Sequence, residues 1–181
     1  MVNPVVVIFT PEGEPLFTGT FFYRPHAGKK DAIVHSIYGS VYGKKHGVLD
    51  GLTRTGELMP PMTQLGSAVP CGVERYQSQV LGEDFQDNVF TCHFNLRRVQ
   101  RHILKPTGST FETEDSDFLV SDNPEFHPTD VFEDADGSLV VIDTGGWYRL
   151  CCPTSQIAKP AGRGGIYRIR PADGTKRADP R

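Results

Sequence analysis

An all-β chain, organised as an incomplete ring of β-propeller blades, is predicted by three features of this 181-residue sequence. Helical periodicity is nearly absent. Short β-branched and aromatic runs recur between Gly, Pro and Asp, and one strand-turn-strand phrase is repeated along the chain. Each blade of such a ring needs roughly 40 residues, so the length corresponds to about three to four blades, or about half of a six-bladed ring.

The first phrase is VVVIFTPEGEPLFTGTFF, with Pro11-Glu12-Gly13 at its turn. The second, RVQRHILKPTGSTFETED, is expected to turn over Lys105 to Gly108, and the third, DVFEDADGSLVVIDTG, over Asp134 to Gly137. Asp and Gly meet the dihedral demands of tight turns at these points. GGIYRIRPADGTK reads as the start of a fourth copy, turning at Pro171 to Gly174 and lacking its return strand. An unpaired strand of that kind leaves an open edge and predicts self-association or pairing with further blades. Between the first two hairpins, Tyr23 to Pro70 is rich in Gly, Pro and paired lysines and reads as a long irregular excursion. The expected organisation is a partial propeller over residues 1–170, most regular over 69–170, followed by a disordered tail over 171–181.

Charge excludes some functions and suggests others. The net charge of −3 argues against a general nucleic-acid binder. VVVIF is too short for a membrane span and has no basic stretch before it, as a secretory signal would. From Glu112 to Asp143 there are eleven acids and no Lys or Arg, whereas Thr144 to Arg181 carries eight bases against Asp173 and Asp179. Two readings follow: an acidic rim paired with a basic neighbour or solvated, or a divalent-cation site. KKHG lacks the order of a phosphate loop, IYGSVYG is not a GxSxG elbow, and no CxxCH is present to attach haem.

The densest polar cluster is SDNPEFHPTDVFEDADG. His127, Thr129 and Asp130 stand where a loop enters a strand, facing one mouth of the fold, and Asp143 is expected at the opposite end of that hairpin. An imidazole beside a carboxylate can ligate a metal, act as a general base, or form a buried hydrogen bond that holds the loop. Asp130 and Asp143 are the candidate calcium ligands. Counting by twos from His93 puts His102 on the other face of the strand, so both read as exposed and unlinked. Cys151 and Cys152 follow the single tryptophan, Trp147. The pair is either redox-active or metal-linked, or two packed thiols. Cys71 and Cys92 add too little for a disulfide scaffold.

The runs VPCGVERY, NVFTCHFNLRRVQRHIL, FHPTDVFEDADGSLVVIDTGGWYRLCCPTSQ and GGIYRIR resemble the last blades of glucose/sorbosone dehydrogenase β-propellers. The WYRLCCPTSQ phrase is similar to the propeller of the large planctomycete-type membrane-bound dehydrogenases. The resemblance implies an extracytoplasmic oxidoreductase that acts on a sugar or other alcohol and passes electrons to a cytochrome. It also implies pyrroloquinoline quinone as cofactor. By alignment of the hairpins, the family's quinone-binding lysine falls near Asn95 and its two arginines near His127 and Thr129, none of which is a cation at neutral pH. The family's proton-abstracting histidine belongs to an early blade outside this chain. By the same resemblance, Cys151 and Cys152 form a vicinal disulfide or packed thiols beside the central channel, with Trp147 next to them. The alternative class is a binding or scaffolding propeller of the NHL or SMP-30 kind. It would use His127, Asp130 and Asp143 for a cation, or Arg149, Lys159 and Arg163 for an anion.

Overall fold

The computed structural model describes residues 3–20, 30–43, 47–146 and 162–172, whose regular elements are nearly all strands. Three antiparallel sheets follow one another along the chain. The first is β1 (Asn3–Phe9), β2 (Pro15–Thr20), β3 (Asp31–His35) and β4 (Thr63–Gly66). The second is β5 (Pro70–Arg75), β6 (Val89–His93), β7 (Arg98–Thr107) and β8 (Thr110–Val120). The third is β9 (Pro128–Glu133), β10 (Leu139–Asp143) and β11 (Gly165–Ile169). The first strand of each sheet packs beside the first strand of the next, β1 on β5 and β5 on β9. These are propeller blades, with the inner strands lining one side and the chain running outward through each blade.

The predicted turns form where the glycines allow them. Gly13 takes a φ of +90° and donates its N–H to the Thr10 carbonyl, and Gly137, at φ +74°, does the same to Asp134. The β7–β8 turn comes later than expected. Thr107 pairs with Thr110, leaving a two-residue loop with Gly108 at φ +56°.

Three expectations are corrected. Tyr23 to Pro70 is not an irregular excursion throughout, because DAIVH forms β3, buried at every position, and TQLG forms β4, completing the first blade. GGIYRIR does not start a fourth copy. It pairs with β10, Leu139 opposite Ile169, and is the third strand of the third blade. His93 and His102 are neither exposed nor on different faces. Face counting by twos fails across the turn at 94–97. His93 pairs with Arg98, four residues before His102, so both imidazoles point the same way and are fully buried.

These histidines form a chain of hydrogen bonds whose proton positions follow from its end. His102 Nδ1 lies 2.8 Å from the Asp115 carboxylate, which only accepts, so that nitrogen carries the proton. His102 Nε2 therefore accepts from the Thr91 hydroxyl (2.8 Å), which in turn accepts from His93 Nε2–H (2.9 Å). His93 Nδ1 then accepts from Arg98 Nε–H at 3.3 Å. At the far end the Thr63 hydroxyl of the first blade donates to Asp115 at 2.7 Å, so the chain also ties two blades together. Burial, then the neighbouring His102 and Arg98, push the His93 imidazole down to about 3. Burial alone would raise the Asp115 carboxyl, but its hydrogen bonds with His102, Thr63 and Thr113 bring it to about 2.

The acidic run also finds its place. Glu112, Glu114, Asp115 and Asp117 lie on the outermost strand β8, beside the basic β7: Arg98 bridges to Asp117 at 3.1 Å and Lys105 to Glu114. Arg168 of β11 and Arg170, just after it, bridge to Asp134 and Asp136 at 2.5 to 3.1 Å. Part of the acidic run is thus paired with bases on neighbouring strands. Among the described residues no group of three or more His, Cys, Asp or Glu is arranged to hold a metal, and no helix is long and apolar enough to cross a membrane.

Candidate functional site

In these blades the inner strands begin at one face of the propeller, which is also where β2, β6 and β10 end. That face gathers the residues before β5, the β6–β7 turn, the start of β9 and the end of β10. Asp143 is therefore not at the opposite end from His127. The antiparallel register sets Asp143 against Pro128, and the Asp143 Oδ1 atom accepts the N–H of His127 and of Gly145, each at 2.8 Å. The carboxylate is buried and serves as a clasp for the turn of chain that opens the mouth.

His127 is buried as well, its ring tilted over Phe94 at 4.6 Å between centroids. Its Nδ1 lies 3.0 Å from the Glu125 carbonyl. A carbonyl accepts only, so Nδ1 carries a proton and donates it there. Thr129 is half-buried, donates to the Ile142 carbonyl at 3.3 Å and accepts from the Thr144 hydroxyl at the same distance. Asp130 is exposed and accepts the next backbone N–H, that of Val131, at 3.0 Å. Beside it, Gly72 of β5 has no room for a side chain: a Cβ there would lie 2.5 Å from Asp130 Cα and 2.8 Å from Val131 N. The missing side chain lets the inner strands of blades two and three touch backbone to backbone. Asn95 lies exposed in the β6–β7 turn, its N–H on the Ala68 carbonyl.

The structure thus brings His127, Thr129 and Asp143 together, with Asp130 one strand position further on and Asn95 on the neighbouring blade. Gly146 N–H donates to the Gly162 carbonyl at 2.9 Å, so the chain leaving β10 and the chain returning to β11 are pinned together at this mouth. Trp147, Arg149, Cys151, Cys152 and Lys159 belong to the segment between these points and lie outside the described residues.

Sequence reasoning missed Asp31. It is fully buried at the start of β3, and its Oδ2 accepts the N–H of Val69, the residue before β5, at 2.7 Å. Burial raises its carboxyl above the usual range despite the backbone hydrogen bond. It does for blade two what Asp143 does for blade three: it fixes the start of an inner strand. The signal available was a lone acid before an apolar run, which does not distinguish a clasp from a surface charge.

Comparison with known proteins gives a family and a fold. A family described as "Domain of unknown function (DUF7133)" matches residues 49–173. No curated protein matches the sequence. Among solved structures, one described as a "putative oxidoreductase (glucose dehydrogenase)" from Thermus thermophilus superposes with a TM-score of 0.60 at 14% identity. It covers 92% of this chain. A second structure, named glucose dehydrogenase, matches with the same TM-score at 13% identity, also over 92% of this chain. The chain spans 43% of the length of each.

Proposed function

The chain belongs to the DUF7133 family, and we propose that it supplies three blades of a propeller oxidoreductase that oxidises a sugar or other alcohol at the mouth around His127. The observation that carries this is the meeting of His127, Thr129 and Asp143 where inner strand β9 begins, on a fold shared with glucose-dehydrogenase propellers. Under this reading the complete protein works outside the cytoplasm and passes electrons to a cytochrome.

The positions that would hold pyrroloquinoline quinone do not fit it. A tricarboxylate calls for cations, whereas Asn95 is a neutral turn residue, the His127 Nδ1 proton is committed to a carbonyl, and the Thr129 hydroxyl donates to its own sheet. Calcium fits no better at Asp130 and Asp143. It takes about six to eight oxygens, and Asp143 already accepts two backbone N–H groups. No catalytic step is therefore assigned to either group. The role of these residues is to hold the mouth open and rigid: Asp143 fixes the backbone, Phe94 and the Glu125 carbonyl fix the imidazole, and Thr129 lines the opening.

The test is thermal shift and dye reduction on the purified chain with a panel of sugars and alcohols, each with and without pyrroloquinoline quinone and calcium. A rise in midpoint with a sugar or alcohol, reduced by Thr129→Val, is the expected result. No rise with any of them would overturn the reading. A rise with calcium alone would instead favour the binding-propeller class, a rise with the quinone alone would support the dehydrogenase reading, and either would reverse the corresponding fit argument above.

A further inference from the structure

We propose that Asp31 is a positioning residue for the His127 mouth, holding the imidazole in place from another blade through a left-handed Val69 and the ring of Phe94. The inference deepens the reading of that mouth as a substrate site and rests on it, although its test is read at the imidazole and not as turnover.

Val69 ends the linker that carries the chain from β4 into β5, and its φ is +49°. A glycine takes that conformation freely. Valine does not, because its branched Cβ crowds the backbone there. The next residue is Pro70, which adds a second push toward extended backbone. A residue so placed stays left-handed only where its surroundings hold it.

The holding group is Asp31. The register of β3 on β4 shifts between Asp31 and Ala32, with Asp31 opposite Gly66 at the head of the linker. Its Oδ2 accepts the Val69 N–H at 2.7 Å, and no part of the residue reaches solvent. Burial raises this carboxyl, and the Val69 N–H is the strongest influence opposing it, ahead of the Lys30 charge, the Thr20 hydroxyl and the Ala68 N–H.

From Val69 the contact passes to the mouth in two steps. The Val69 carbonyl accepts the N–H of Phe94 at 3.3 Å, and the Ala68 carbonyl accepts that of Asn95 at 3.0 Å. The Phe94 ring then lies over His127, 4.6 Å between centroids and tilted by 42°. The Val69 carbonyl belongs to the peptide unit that follows the left-handed residue. Relaxation of Val69 to an extended backbone therefore re-aims that carbonyl and takes Phe94 off the imidazole. Asp143 and the Glu125 carbonyl hold the same histidine from its own stretch of chain, so it is the face of the ring that depends on Asp31.

NMR of the ring protons of His127 tests this, with His127→Gln identifying the signal and Phe94→Leu setting its position when that aromatic ring is gone. Asp31→Leu removes the acceptor and should move the signal at least half of the way to the Phe94→Leu position. Asp31→Asn keeps an oxygen for the Val69 N–H and should leave it near the wild-type position. Val69→Gly added to Asp31→Leu should bring the signal back, since glycine needs no clasp to stay left-handed. Should Asp31→Leu alone fail to fold, recovery of a folded protein by adding Val69→Gly is the same rescue. An Asp31→Leu signal at the wild-type position would overturn the proposal. So would a displaced signal, or an unfolded chain, that Val69→Gly does not restore. These shifts in a protein that binds no sugar or alcohol would uphold the coupling and overturn the substrate reading alone.

Discussion

Replacing Thr91 by Val removes one oxygen from the middle of the buried chain that runs from Arg98 to Asp115, at nearly constant volume. That hydroxyl is a hydrogen-bond partner of both His93 Nε2 and His102 Nε2, and neither imidazole reaches solvent. Stripping a buried polar atom of its partner costs about 1–3 kcal/mol. Two atoms lose theirs together, so the loss should be about 2–6 kcal/mol. Urea unfolding followed by circular dichroism reads it directly. With a slope of about 2 kcal/mol/M, the midpoint should fall by about 1–3 M while the slope stays unchanged. Thr91→Ser keeps the oxygen and loses a methyl group, worth about 1 kcal/mol, so it should be the milder change. A Val variant within about 0.5 kcal/mol of wild type, the range of ordinary surface substitutions, would refute the bridging role. So would a Ser variant less stable than the Val variant.

Three further outcomes follow from the same structure. The folded protein holds His93 neutral down to about 3, while the unfolded chain takes up a proton near 6.5. The unfolded state therefore binds more protons across that window. The stability contributed by the neutral imidazole should be complete above about pH 6.5 and lost as the pH falls toward 3, as seen in midpoints measured at half-unit steps. Gly72→Ala should destabilise by about 1–3 kcal/mol, since its Cβ meets the backbone of Asp130 and Val131, which cannot turn aside as the Asp130 carboxylate can; calorimetry reads the drop. Burial, with the nearby charge of Asp130, pushes the Cys71 thiol up to about 11. Alkylation at pH 8 with mass detection should therefore label it on the order of 100-fold more slowly than an unperturbed cysteine.

The strand class, the hairpins at Gly13 and Gly137, and the cluster at the start of β9 were all legible in the order of residues along the chain. These are local properties: a glycine at a turn needs a positive φ, and an alternating run of apolar residues declares a half-buried strand without reference to its partner. What depended on pairing was not legible. DAIVH has no polar alternation because it is buried on both faces inside its blade, so it did not read as a strand against the loop around it. The common face of His93 and His102 is set by the register across a turn, and the meeting of His127 with Asp143 by the antiparallel return of β10, sixteen residues on. The ion pairs of the acidic run with Arg98 and Lys105 of β7 and Arg168 of β11 are set by strand pairing and do not show in the linear order. Sequence spacing fixes which way a side chain points along one strand. Only the folded sheets decide what stands opposite it, and the clasp at the mouth and the buried histidine chain both depend on that.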